Sequence, residues 1–303
     1  MDRSDLANRM KSFYEEVSKT RLLRRIPTVI RIDGRAFHTF AKGFVQPFDD
    51  VLIDSMHETM KYLCENIQGC VLGYTQSDEI TLILTDYKEL TSDAWFNYEV
   101  QKVCSIAASM ATMAFNKAFA KNVKNFDLKI ACNGGTEENK RLLRIYNKAV
   151  EKGAMFDARF FNIPREEVTN LIYWRQLDAS RNSVNMVGRA YFSHKELLNK
   201  SCSQIQDLLM TKGINWNNYP TYQKRGACCV KSEVVSNKES DIPYPLKAML
   251  PQTIVKTSKE CSVSKILIAK LAPSIGSVPE PNSSINTNEF VVAFFIIDTI
   301  FNI

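Results

Sequence analysis

No C-x-x-C pair occurs among the eight cysteines, and none has a histidine neighbour at zinc-ligand spacing, so they read as reduced thiols of an intracellular protein. Glycine and proline are scarce, 11 and 10 of 303 residues, which excludes a collagen-like chain. With 45% hydrophobic and 24% charged residues, wholly disordered and disulfide-miniprotein classes are excluded too. The N-terminal stretch has neither an apolar signal core nor an acid-free transit composition, and a cytoplasmic address is expected. The strongest apolar run, residues 290–297, is broken at Asp298 and is too short to span a bilayer, so no membrane role is expected. No repeat at solenoid periods is present. Charge of neither sign dominates. Lys and Arg total 39 against 33 Asp and Glu, a surplus of +6 that permits a polyanionic partner without demanding one.

The apolar pattern Leu6, Met10, Phe13 and Val17 predicts an opening helix that ends near Arg25. The β-branched run Thr28-Val29-Ile30-Arg31-Ile32 predicts a strand stopped by Asp33-Gly34. Asp49-Asp50 can cap a helix with Leu52, Ile53, Met56, Met60 and Leu63 on one face. Two strands, Val71 to Thr75 and Ile80 to Leu84, flank an acidic turn at Gln76-Ser77-Asp78. A long helix is expected from Asp93, fading near Lys121, and the charged stretch Glu137 to Arg144 reads as a loop or a short solvated helix. Ala158 to Ile163 is a further strand, Pro164 opens a helix running past Trp174, and Ser193-His194-Lys195-Glu196 is a capping box. Cys228-Cys229 is expected on opposite faces of a strand. The order strand, helix, strand, strand, helix, strand predicts an α+β, ferredoxin-like fold. Polymerase palms, RNA-recognition modules and small-molecule binders all use that fold.

In such a sheet the first strand lies beside the second strand of the hairpin, so Asp33 and Asp78 are expected to converge. Two hard carboxylates with few other protein ligands suit Mg²⁺, which takes its remaining ligands from water and substrate phosphates. A pair of such ions suits in-line phosphoryl displacement. The competing reading is that Asp33-Gly34 is a turn and Asp78 a cap. Arg35, His38, Lys42 and Ser77 beside the pair form a phosphate-binding inventory that favours the metal. Arg21, Arg24 and Arg25 read either as an exposed helix end or as an RNA track. A GGDEF-type cyclase lacks its run here. An RNA-recognition module lacks its exposed aromatics on residues 79–84.

The stretch Arg31-Ile32-Asp33-Gly34-Arg35-Ala36-Phe37-His38-Thr39-Phe40, with Lys42-Gly43-Phe44 and Pro47-Phe48-Asp49, resembles the opening signature of the tRNA(His) guanylyltransferase family. Tyr74-Thr75-Gln76-Ser77-Asp78-Glu79, Phe156-Asp157-Ala158-Arg159, Trp174-Arg175-Gln176-Leu177-Asp178 and Lys224-Arg225-Gly226 continue the resemblance in order. It implies a polymerase-palm core over residues 1–163, a helical part over 164–235 completing the catalytic unit, and a poorly defined tail over 236–303. It also implies a reverse polymerase adding nucleotides to the 5′ end of tRNA. The 5′-phosphate is activated with ATP or GTP, attacked by the 3′-hydroxyl of an incoming nucleoside triphosphate, and pyrophosphate is then removed.

By the same resemblance Asp33, Asp78 and Glu79 are catalytic, and Asp33, Asp78 and the Gly34 carbonyl hold two Mg²⁺ ions. Arg35, Ala36, Phe37, His38, Lys42 and Ser77 join them in nucleotide binding. Arg31, Lys102, Asp178, Asn185, Lys224 and Arg225 contact triphosphate or tRNA. A homotetramer is implied as well. Two departures stand out: Arg181-Asn182-Ser183-Val184-Asn185-Met186 replaces the His-Ile-Asn-Asn-Leu run of the tRNA(His)-specific eukaryotic enzymes, and Glu99 stands where those enzymes place a triphosphate-binding arginine. The first departure is more like the guanylyltransferase-like branch, so template-dependent repair of 5′-truncated tRNAs is expected, with G addition to tRNA(His) as the alternative.

Overall fold

β-branched and aromatic runs form six strands of one antiparallel sheet in the computed structural model, which describes residues 4–232 and 265–269. The strands are β1 (Thr28–Gly34), β2 (Cys70–Gln76), β3 (Glu79–Leu84), β4 (Phe156–Asn162), β5 (Ala227–Ser232) and β6 (Lys265–Ala269), in the spatial order β4-β1-β3-β2-β5-β6. The helices are α1 (Asp5–Met10), α2 (Phe37–Phe40), α3 (Asp50–Asn66), α4 (Val100–Asn133), α5 (Glu137–Lys152), α6 (Glu167–Tyr191), α7 (His194–Leu197), α8 (Cys202–Thr211) and α9 (Thr221–Arg225). β1 lies between β3 and β4, so Asp33 stands directly opposite Glu79 on one side and Asp157 on the other.

Alternation along the strands divides the core. Ile30, Ile32, Ile80, Leu82, Phe156 and Cys229 face α3, α4 and α5, whereas Val29, Leu72, Tyr74, Ile83 and Cys228 face α6 through Val168 and Ile172. Cys228 and Cys229 thus fall on opposite faces, as expected. α3 crosses β2 at Gly73, where a β-carbon would meet the Cys64 sulfur at 2.5 Å. The seven cysteines among the described residues are free thiols.

Several boundaries differ from expectation, each for a tertiary reason. The opening helix continues from α1 as tighter and wider turns only to Ser18, because the following segment extends to pair with residues 98–100. Arg24 and the Arg25 amide bind the buried Asp86 carboxylate at 3.3 and 2.9 Å, so these residues brace the fold at that point. α4 begins at Val100 rather than Asp93, since Phe96, Asn97 and Tyr98 take left-handed backbone angles in a tight turn. It runs on past Lys121 to Asn133 because α5 covers its second half, with Tyr146 packed on Phe119 and Phe126. By length and composition α4 is long and apolar enough to cross a bilayer. Its Val103, Ala107, Ala111 and Phe115 are nevertheless buried against the sheet layer.

The charged stretch Glu137 to Arg144 belongs to α5, a full 16-residue helix that buries Leu142, Tyr146 and Ala149 at helical spacing. The Ser193 amide donates to Glu196 at 2.8 Å, closing the expected capping box. Of the expected helical part 164–235, the described residues 164–232 are largely helical and also contribute β5, and residues 265–269 of the expected tail pair with it as β6. The rest of that tail, including residues 290–297, lies outside the described residues.

Asp49 ties α3 to α5. Its carboxylate accepts from the Leu52 amide at 2.9 Å as helix cap, from the Val45 amide at 3.0 Å and from the Tyr146 hydroxyl at 2.6 Å. Burial, with Asp49 next, pushes the Tyr146 phenol up. Asp49→Ala is expected to lower unfolding free energy by about 2–4 kcal/mol, a lost cap plus a stranded phenol. Tyr146→Phe is expected to cost about 1 kcal/mol. Urea unfolding midpoints check both.

Candidate active site

β1 delivers Asp33 to the end of the sheet on the face opposite the aromatic core. Three strands are tied there: the Gly34 amide donates to the Asp78 carbonyl at 3.1 Å, and the Arg35 amide donates to the Met155 carbonyl at 2.9 Å. Gly34 has to be glycine, because a β-carbon would lie 2.2 Å from the Phe37 ring. The β2–β3 turn reverses through Ser77 at φ 52°, and the Ser77 hydroxyl donates to the Asp78 carboxylate at 3.0 Å. Asp33 and Asp78 therefore share one edge, as expected. Burial raises the Asp33 carboxyl above its ordinary value, helped by Glu79 and Asp157. Burial raises Asp78 as well, with Asp33 and Glu79 adding to it against the Ser77 hydrogen bond. Among the described residues neither carboxylate forms an ion pair.

Glu79 differs. Arg31 and Arg175 both hold its carboxylate at short range, and the Gln76 amide donates to it at 3.2 Å. Arg175, 2% exposed, also binds Asp178 at 3.1 Å. Asp178 in turn takes Arg181 and the Asn182 amide at 3.3 Å. The expected catalytic role of Glu79 is thus corrected: its oxygens are committed to docking α6 on the sheet. Arg31 and Asp178 are committed to the same network rather than open to phosphate. The Trp174-Arg175-Gln176-Leu177-Asp178 motif has its physical reason here, a buried arginine that must be satisfied from both sides.

The other expected contacts divide. Arg35 and Ala36 after β1, His38 on α2, Lys42 beyond it and Ser77 in the β2–β3 turn are all exposed. Phe37 is not available to a nucleotide base, since its ring is buried against Phe40, Phe115 and Phe156. Lys102 lies over the Phe96 ring at 4.8 Å. Thr112 meets the Phe156 amide beside Gly34, and Lys102 is ten residues earlier on α4, about 15 Å of helix away. Within this chain Lys102 is not brought to the pair. Lys224 is buried, donating to the Asn217 carbonyl at 2.7 Å above the Trp216 ring, so its ammonium is engaged structurally. The Arg225 carbonyl accepts from the Tyr74 hydroxyl at 2.7 Å, and half-buried Asn185 donates to the Arg181 carbonyl at 2.8 Å. Asp157, opposite Asp33, was not singled out from the sequence although its motif was.

Residues 7–164, more than half of the chain, match the family described as Thg1: tRNAHis guanylyltransferase. The chain belongs to the tRNA(His) guanylyltransferase family. Members of this family are nucleotidyltransferases, and the chain is an enzyme of that class. It is similar to a bacterial Thg1-like protein in complex with ATP, with 41% identity, TM-score 0.63, and coverage of 75% of this chain and 87% of that one. A bacterial Thg1-like protein in complex with GTP is similar at 35% identity and TM-score 0.60, over 81% and 95%. The tRNA(His) guanylyltransferase of Schizosaccharomyces pombe is 26% identical over 74% of this chain and 82% of its own length.

The donor set fits a hard divalent cation: two carboxylates with raised proton affinity and a strand-end carbonyl, with neither carboxylate in an ion pair among the described residues, although Arg31 and Arg159 act on Asp33 from a distance. No group of three or more His, Cys, Asp and Glu gathers among the described residues. Because both carboxyls bind protons more tightly when folded, metal-free stability falls as pH rises from the ordinary aspartate value of 3.8 through the raised ones. Asp78→Asn is therefore expected to stabilise the metal-free protein at neutral pH by roughly 0.5–2 kcal/mol, and Asp33→Asn by less, because solvent screens the more exposed carboxylate. The advantage should shrink toward pH 4, as followed by thermal melts in chelator across pH.

Proposed function

We propose that this chain adds guanylate from GTP to the 5′ end of tRNA(His), extending the strand in the 3′-to-5′ direction on a ferredoxin-like polymerase palm. The observation that carries this reading is the unpaired Asp33–Asp78 pair at the shared end of β1 and the β2–β3 hairpin. The order β4-β1-β3-β2 supports the palm. Asp33, Asp78 and the Gly34 carbonyl are the residues that would hold two Mg²⁺ ions. Bound there, Mg²⁺ would neutralise phosphoryl charge and favour ionisation of the attacking hydroxyl.

The chain's own residues do the rest. The exposed Arg35, His38 and Lys42 hold phosphate oxygens, and Ser77 orients Asp78. Glu79 keeps β1, β3 and α6 in register through its two arginines. ATP as activator and GTP as donor are supported by the bacterial Thg1-like proteins in complex with ATP and with GTP. In this reading the 5′-phosphate attacks the α-phosphorus of ATP and releases pyrophosphate, the GTP 3′-hydroxyl then displaces AMP from the activated end, and water removes pyrophosphate from the new 5′-triphosphate. A homotetramer belongs to the same reading. The stripe Leu6, Met10, Phe13 and Val17 on the opening helix is exposed among the described residues and offers a surface for a second copy.

A second reading, template-dependent repair of 5′-truncated tRNA, is favoured by the Arg181-to-Met186 departure. In the structure Ser183 of that run is buried, donating to the Lys224 carbonyl at 3.1 Å and accepting from the Trp216 indole at 3.1 Å. Guanylate addition has the wider support, from the family description and the fission-yeast relative together. With Mg²⁺, ATP and GTP, 5′-monophosphorylated tRNA(His) is expected to gain one G. Asp33→Ala and Asp78→Ala are expected to lose activity by about 100-fold or more while staying folded. Gel analysis of intact and 5′-truncated transcripts checks this. Full activity in both variants would remove the proposal, and extension of the truncated RNA alone would replace it with repair.

A further inference from the structure

We propose that Trp174 is a stacking platform for an unpaired nucleobase presented beside the Asp33–Asp78 pair. The inference rests on reading that pair as the nucleotidyl-transfer centre. Of the three tryptophans, Trp95 and Trp216 are buried at 7% and 2% exposure, while Trp174 is 50% exposed. α6 docks through Val168, Ile172, Arg175 and Ala179, so Trp174 is not needed to bury the helix. It lies on the solvent side with Leu177 and Arg181.

What holds the ring is unusual for a surface tryptophan. The Arg31 and Arg175 guanidiniums lie 5.7 and 4.7 Å from its centroid, and both are pinned by Glu79. The indole is therefore positioned by groups that are themselves fixed, which lowers the cost of ordering it on binding. The location is specific too. Arg31 precedes Asp33 by two residues, about 7 Å of strand, and their side chains share a face. Arg159 stands directly across β4 from Arg31 with its side chain 56% exposed, and the Arg181 side chain is 67% exposed.

A flat π-face flanked by exposed guanidiniums, next to a carboxylate pair, suits a base carried on a phosphate chain. The cation positions over the indole are already filled by the two arginines. That base belongs either to GTP or to the RNA end, and the two sources separate experimentally.

The test follows tryptophan emission while GTP, 5′-phosphorylated tRNA(His) transcript or inorganic tripolyphosphate is titrated into wild type, Trp174→Phe and Trp174→Leu. Calorimetry gives the dissociation constants in parallel. GTP, the transcript or both are expected to quench the wild type, and tripolyphosphate is not. The responding ligand identifies the source of the base. The quench is expected to vanish in Trp174→Phe, whose remaining tryptophans are buried, with affinity for the responding ligand kept within about threefold because phenylalanine still stacks. Trp174→Leu should weaken that ligand by about 5- to 100-fold at an unchanged melting temperature. Binding without quench, or wild-type affinity in Trp174→Leu, would overturn the stacking role and leave the transfer centre standing. Failure of the wild type to bind either GTP or the transcript would overturn both.

Discussion

The Glu79 carboxylate, shared between Arg31 of β1 and Arg175 of α6, is the interaction on which the rest of the site depends. A buried guanidinium is costly unless it is paired, and Glu79 and Asp178 both pair Arg175 through Nη2, while its Nε finds no hydrogen-bond partner among the described residues. The same contact fixes how α6 crosses the sheet and where Trp174 stands. It also separates the acidic residues into two kinds. Glu79 is paired by two arginines, whereas Asp33 and Asp78 form no ion pair among the described residues.

Holding those two carboxylates together works against stability, and the surrounding structure offsets it. Phe37 packs over Gly34 and joins Phe40, Phe115 and Phe156, so the turn after Asp33 is braced from beneath by a cluster of aromatic rings. Ser77 takes a left-handed angle to place Asp78, a conformation glycine or asparagine adopts more readily. The site is a place where local preference yields to an arrangement made by the whole sheet.

The strand register of the site was legible because its signals are local and chemical. A β-branched run ending in Asp-Gly and a hairpin with a polar tip leave few choices of pairing, and convergence of Asp33 with Asp78 follows. Glu79, Lys102, Lys224 and Phe37 were not legible in their actual roles. Each has a side chain whose type suits phosphate, metal or base, and each is taken up by another partner: Arg175, the Phe96 ring, the Asn217 carbonyl and the core. α5 was obscured for another reason. Its charges dominate the composition, while Leu142, Tyr146 and Ala149 are enough to dock it on α4. Asp157 was visible in its motif, but only the pairing of β4 with β1 shows that it stands opposite Asp33.

The division between Asp33 and Asp78 on one side and Glu79 on the other is open to a direct measurement. Mn²⁺ binding in the presence of GTP, followed by electron paramagnetic resonance, is expected to weaken by at least about tenfold in Asp33→Asn and Asp78→Asn. Glu79→Gln is expected to keep the ion while melting at a lower temperature. Binding that survives in both aspartate variants, or is lost only when Glu79 is changed, would contradict the assignment.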